Sequence, residues 1–238
     1  MSTNNQYQRI YDILNSHYGP QHWWPADSPF EVMVGAVLVQ NTAWKNTATA
    51  ISSLKKASLM SPSAIQVTPI EQLASLIVSS GYFNIKARRL KALCDWLVEQ
   101  GDIDQLKRLP LKSLRKNLLG IHGIGPETAD DILLYALDKP VFVIDAYTRR
   151  LFSRLGLIQH DASYEDLRKS FEFALVKDIE LFNQYHALIV VHAKNICRRQ
   201  PACGSCCLKG KCLTWQNTVS PQADIKRKSM QSASVDSS

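Results

Sequence analysis

Leu111, Leu114 and Leu118 recur at helical spacing, and so do Ala129, Ile132, Leu133, Ala136 and Leu137, with only Gly120 to Pro126 separating the two stripes. Amphipathic helices joined by so short a link must double back on one another. The link, His122-Gly123-Ile124-Gly125-Pro126, sets two glycines around one apolar residue. Glycine there lets the backbone approach another molecule closely, and amides at the start of the second helix can hold a phosphate. An ordinary hairpin whose glycines only permit the turn would read the same way. Pro126 suits the first helical position and Glu127 the first turn.

Elsewhere the apolar residues also follow the helical period, with Gly and Pro mostly between periodic stretches, so the fold class is all-α. Ser28-Pro29-Phe30-Glu31 signals a helix start, with Ser28 as cap and Glu31 closing a capping box. The run that follows, Val32 to Val39, is apolar on every side and reads as a core helix, although periodicity alone allows a buried strand. Further helices are expected at 70–79, 85–99, 111–119, 126–137, 147–155, 164–176 and 183–193, and 217–238 is expected to be a disordered tail.

The longest apolar run, Phe30 to Val39, is too short to span a bilayer, and the polar start resembles no secretory signal. A membrane role is not expected, and the expected location is the cytoplasm, at the nucleoid if the source is bacterial. A net charge of +7 and a pI near 9.1 favour a polyanionic partner without identifying it.

Three features carry chemistry. Asp145 follows the apolar run Val141 to Ile144 and sits at the N-cap of the next helix, where amides and the helix dipole keep a carboxylate ionised. An isolated aspartate there would be a cap and nothing more. Trp23, Trp24 and Pro25 precede the buried helix and Trp44 follows it; such rings either pack a core or stack on a flat, cationic base. Cys197, Cys203, Cys206, Cys207 and Cys212 crowd into sixteen residues, whereas Cys94 stands alone in a helix. Clustered cytosolic thiols indicate a metal, and one Cys-x-x-Cys pair flanked by single cysteines fits an iron–sulfur cluster better than zinc knuckles.

Ile121-His122-Gly123-Ile124-Gly125, with Thr128-Ala129 and then Val143-Ile144-Asp145 twenty residues after Gly125, resembles the helix-hairpin-helix DNA glycosylases of the endonuclease III group, from about Phe30 to Cys212. That resemblance implies a DNA phosphate held at Gly123, Ile124, Gly125, Glu127 and Thr128, and a catalytic role for Asp145 in cleaving the N-glycosidic bond of a flipped base. Gln40, in Val39-Gln40-Asn41-Thr42, matches the glutamine that fills the gap in the duplex. Family members that also cleave the strand carry a lysine where this chain has Glu127. A carboxylate forms no imine, so the chain is expected to be a monofunctional glycosylase.

Trp23-Trp24-Pro25, Gly35 to Thr42, and Gly81-Tyr82-Phe83-Asn84 with Lys86-Ala87 resemble the 3-methyladenine branch of the group. This implies a base pocket at Trp23, Trp24, Pro25 and Trp44 and an alkylated purine as substrate. The cysteine spacing resembles that group's C-terminal [4Fe-4S] loop, although its first gap is one residue shorter. Cys197, Cys203, Cys206 and Cys212 are the expected ligands, because Cys207 would break the gaps on either side of the third position.

The expected architecture is two helical lobes with a DNA-binding cleft between them. One lobe comprises 29–137 and ends in the hairpin; the other comprises 1–28 with 138–215 and carries the cluster loop 197–212. The expected partner is double-stranded DNA, bound by a monomer. Competing readings are a mismatch or oxidised-pyrimidine glycosylase, with or without strand cleavage, and a non-catalytic DNA-binding or redox-responsive iron–sulfur protein.

Overall fold

The computed structural model describes residues 3–159 and 161–219. The α-helices in chain order are α1 (Thr3–Tyr18), α2 (Pro29–Leu38), α3 (Trp44–Lys56), α4 (Pro62–Val67), α5 (Ile70–Leu76), α6 (Phe83–Gln100), α7 (Ile103–Arg108), α8 (Leu111–Leu119), α9 (Pro126–Asp131), α10 (Ala146–Leu155), α11 (Tyr164–Ala174), α12 (Ile179–Asn195) and α13 (Leu213–Val219). No strand occurs among the described residues, so the all-α expectation holds. Helix α13 takes in 217–219, and the rest of the expected tail, 220–238, lies outside the described residues. Among the described residues no helix is long and apolar enough to cross a membrane.

The chain forms two compact units. Within the described residues, one comprises 3–21, 144–176 and 184–219, and the other comprises 22–143 with 177–183.

The unit built on 22–143 is organised around α2, which is buried from Phe30 to Leu38. Fully burying each large apolar side chain contributes about 2 kcal/mol, so this helix anchors the unit. Ser28 caps it as its sequence indicates, accepting the Glu31 N–H at 3.2 Å. Glu31 reaches back one residue further than a capping box requires, accepting the Asp27 N–H at 3.0 Å, and its other oxygen pairs with Lys55 at 2.7 Å. At the far end, Lys86 from α6 is almost wholly buried and donates to the carbonyls of Leu38 (2.8 Å) and Ser80 (2.7 Å). It thus serves the Leu38 carbonyl at the end of α2, which the Thr47 hydroxyl also meets at 3.3 Å, and the Ser80 carbonyl at the end of the 3-10 turn Val78–Ser80.

In the other unit, Tyr7 of α1 stacks on Phe152 of α10 and meets Phe171 of α11 edge-on, with ring centroids 5.4 and 4.7 Å apart. Tyr185 of α12 is fully buried beside them and donates to the Tyr7 carbonyl at 2.8 Å. At the end of α10, Gly156 adopts φ +78°, and a Cβ there would lie 2.7 Å from Leu213 Cδ2. A side chain at this left-handed position would be strained and would press on Leu213, so glycine suits the packing of α13 against the end of α10.

Burial, reinforced by the nearby Arg89 charge, pushes Lys86 down to about 8 from 10.5. The folded-state pKa lies below the unfolded one, so the unfolded chain binds more protons between these values and the stability due to Lys86 rises over that pH window. Lys86→Met should cost about 2 kcal/mol in urea unfolding at neutral pH, by stripping donors from two buried carbonyls, and the gap to wild type should widen above about pH 8.

Candidate active site

The link after α8 makes its turn at Gly123, whose φ of +82° places it in the left-handed region. Ile124 is buried and its N–H bonds to the Ile121 carbonyl at 3.1 Å, pinning the loop to its own core. Gly125 caps α9 without a side chain, and among the described residues nothing lies within 4 Å of where its Cβ would be. The backbone at this helix start is therefore open to close approach, in the geometry that accepts an anion. Glu127 is exposed in the first turn, while Thr128 is buried.

Two contacts absent from the sequence reading fix this hairpin. Asp130, fully buried in α9, receives Arg115 of α8 at both oxygens, at 2.7 and 3.1 Å. A bidentate buried pair sets the angle of the two helices more firmly than either helix does alone. Gln40, just beyond α2, donates to the Thr128 hydroxyl at 2.8 Å and to the Gly123 carbonyl at 3.3 Å, and its amide oxygen accepts from Arg89. Arg89 lies across Gly123 so closely that a Cβ there would come within 2.2 Å of its Cγ.

The basic run Lys86, Arg88, Arg89 and Lys91 is therefore largely internal. Lys86 closes α2, Arg89 ties Gln40 to the hairpin, and Lys91 donates to the carbonyls of Gln66 and Thr68; only Arg88 is exposed.

The same unit gathers the tryptophans. Trp24 lies 5.2 Å from Trp44, nearly perpendicular, and Trp23 lies 6.1 Å from Trp24. All three are half-buried, and Pro25 is exposed beside them. Gly35 of α2 makes room for this, since a Cβ there would touch the Trp24 indole at 3.2 Å. Tyr135 adds a fourth ring 5.3 Å from Trp24; it comes from a π-helical turn, Ile132–Ala136, that the amphipathic pattern did not reveal. Such turns recur at functional sites. The indole N–H groups of Trp23 and Trp24 are buried and bond to no described residue.

In the other unit Asp145 caps α10. One carboxylate oxygen accepts the Thr148 N–H at 2.7 Å and its hydroxyl at 2.8 Å, and the other lies 3.5 Å from His186 Nε2 of α12. Both Asp145 and His186 are buried. Burial is the strongest single influence and raises the carboxyl, but His186 and the two Thr148 bonds together outweigh it, and the net shift is downward. The site thus holds a buried carboxylate in its charged form, suited to countering positive charge or orienting water. His186 carries no local sequence signal; a lone histidine on a helix is usually core.

Helix α10 also holds the cysteine loop. Arg150 donates to the carbonyls of Cys197 (2.8 Å) and Ala193 (2.9 Å), and Arg154 to the carbonyls of Arg198 (2.6 Å) and Arg199 (3.0 Å) and to Cys197 Sγ (3.2 Å). Cys197, Cys203, Cys206 and Cys212 line one cavity with Leu151, Ile196 and Leu208, whereas Cys207 is not among its lining residues. Among the described residues no three His, Cys, Asp or Glu side chains converge closely enough to grip a single metal ion. Arg198, Arg199, Lys209 and Lys211 are exposed around the loop. Cys94 is buried in α6, which pushes its thiol up to about 12, in keeping with a packing role.

Residues 34–175 match the model of the HhH-GPD superfamily base excision DNA repair proteins. A protein of Methanocaldococcus jannaschii designated DNA repair glycosylase MJ1434 is 46% identical over 209 residues, covering 87% of this chain and 95% of that one. Endonuclease III of Sulfolobus acidocaldarius is 30% identical over 192 residues, covering 80% and 84%. Among solved structures, a non-covalent endonuclease III–DNA complex superposes with a TM-score of 0.78 at 23% identity, covering 91% of this chain and 98% of that one, which bears on the fold alone. A 3-methyladenine DNA glycosylase of H. pylori bound to 1,N6-ethenoadenine superposes with a TM-score of 0.70 at 27% identity, covering 82% and 98%. The chain belongs to the HhH-GPD superfamily and is a base excision DNA repair glycosylase close to the endonuclease III proteins.

Proposed function

We propose that this glycosylase hydrolyses the N-glycosidic bond of an alkylated purine such as 3-methyladenine in duplex DNA and leaves the strand intact. The observation that carries the substrate reading is the cluster of Trp23, Trp24 and Trp44, joined by Tyr135, which offers electron-rich faces to a flat ring. A purine alkylated at nitrogen is cationic and stacks on such faces more strongly than a neutral base does. The solved 3-methyladenine glycosylase that superposes on this chain supports the same reading.

In this reading Gly123, Ile124, Gly125, Glu127 and Thr128 form the hairpin that receives a phosphate through its backbone, and Gln40 exchanges its bonds to Gly123, Thr128 and Arg89 for the gap left by the flipped nucleotide. Ile124 and Thr128, being buried, serve by holding the loop's shape. A cationic base leaves as a neutral molecule with the bond's electron pair, so no general acid is required. Asp145 stabilises the positive charge developing on the sugar; water adds at the anomeric carbon and its proton passes to the carboxylate. His186 is a positioning residue that orients the oxygen not held by Thr148.

Hydrolysis without strand cleavage follows from the amines present. The hairpin offers Glu127 in place of a lysine. Lys139 lies just before the Val141–Ile144 run, and its amine is committed to the Lys107 carbonyl at 2.5 Å.

Cys197, Cys203, Cys206 and Cys212 would hold a [4Fe-4S] cluster. Four sulfurs around one cavity suit a centre that takes one thiolate per iron, and the Arg154 N–H directed at Cys197 is of the kind that stabilises a metal-bound thiolate. Bound there, the cluster would cross-link the loop to itself, beside the end of α10 to which Arg150 and Arg154 tie the loop.

Incubation with methylated duplex DNA should release 3-methyladenine; a preparation that ignored it and excised thymine glycol or a mismatched base would overturn the substrate reading. Borohydride should capture no covalent complex during turnover, and efficient capture would contradict hydrolysis by water. His186→Leu should lower the excision rate by about tenfold to a hundredfold with KM little changed. Purified chain should contain iron and sulfide in equal amounts, whereas stoichiometric zinc would refute the cluster.

A further inference from the structure

Behind the cysteine loop lies a buried histidine that the glycosylase chemistry does not use. His192, on α12, has no exposed surface. Its Nδ1 lies 2.9 Å from the hydroxyl of Tyr18 at the end of α1, and its Nε2 lies 3.5 Å from Cys206 Sγ. Both ring nitrogens are thus committed, one to a phenol and one to a sulfur.

We infer that His192, seated by Tyr18, donates its Nε2–H to the Cys206 sulfur and so fixes Cys206, rather than the adjacent Cys207, as the third cluster ligand. The inference rests on the reading of the loop as a [4Fe-4S] site. A neutral imidazole carries one N–H, and a metal-bound thiolate only accepts. If the proton were on Nδ1, a bare nitrogen lone pair would face the sulfur. With the proton on Nε2, Nδ1 accepts from the Tyr18 hydroxyl and every contact in the chain is satisfied. The phenol carries its proton at neutral pH and so can donate to Nδ1.

The arrangement has a counterpart across the same cavity, where Arg154 Nη1 points at Cys197 Sγ from 3.2 Å. Cys197 and Cys206 each receive an N–H from a side chain outside the loop, and both line the cavity that Cys207 does not. Partners of this kind orient a metal ligand and tune its bond. His192 is therefore a positioning residue for the cluster, and the tandem cysteines are told apart by which one the imidazole reaches.

The test uses the full chain purified without oxygen, with iron and sulfide content and resonance Raman spectra compared across variants. Cys206→Ser should lose the cluster and Cys207→Ser should keep its full iron content. His192→Leu should retain the cluster but shift an iron–cysteine stretching band to higher frequency, because a sulfur relieved of a hydrogen bond binds iron more strongly; Tyr18→Phe, which frees Nδ1 to take the ring proton from Nε2, should shift the same band part of the way. Should His192→Leu fail to fold, Tyr18→Phe decides the point, since it removes only a hydroxyl. The inference is overturned if Cys207→Ser loses the cluster while Cys206→Ser keeps it, or if the band stays in place in a loaded Tyr18→Phe protein. A wild-type chain without iron and sulfide would instead remove the cluster reading, and the inference with it.

Discussion

A buried carboxylate is costly unless its charge is met, and the unit that holds Asp145 is arranged to meet it. Thr148 supplies two short bonds to one oxygen from the first turn of α10, and His186 faces the other from α12. The same bonds that cap the helix hold the acid in its charged form, so cap and candidate catalyst are one feature. Helix α10 then carries the constraint onward, because Arg150 and Arg154 bind the backbone of the cysteine loop. A cluster seated in that loop would brace the helix whose first turn presents the acid.

The other unit meets a different requirement, a backbone loop open to a partner yet rigid. Openness comes from Gly125, which no described residue crowds, and rigidity from the Arg115–Asp130 pair and from Gln40 and Arg89. Gly123 adopts a conformation that other residues reach only with strain and is overlain by Arg89, so its place in the sequence has two independent causes. Gly35 does similar service for the Trp24 indole.

Features written as local periodicity were legible in the sequence. Helix α8 spans Leu111–Leu119 as its leucines indicate, α2 begins at its serine cap, and the hairpin's glycines stand where the turn is made. Helices α1, α3, α4, α7 and α13 were not foreseen. In α3 the buried face is Thr47, Ala50, Ile51 and Leu54, too sparsely apolar to stand out. In α6, three of the four charges Lys86, Arg88, Arg89 and Lys91 point at carbonyls or side chains that the fold brings up from distant residues, which local pattern does not record. Tyr135, Asp130 and His186 matter only through partners far away in the chain or through a turn of unusual pitch, and such partners leave no mark on local pattern. The cysteine spacing gave a preference for Cys206 on counting alone; the cavity lining supports it on separate grounds.

Everything proposed about catalysis converges on one carboxylate. The most direct test is single-turnover excision of 3-methyladenine from a duplex by wild-type protein and by Asp145→Asn, with duplex affinity measured on the same preparations. The asparagine keeps a cap for α10 but supplies no charge, so release should fall by about a hundredfold or more while affinity stays close to wild type. Release within about twofold of wild type would show that the acid is a helix cap alone and would contradict the account.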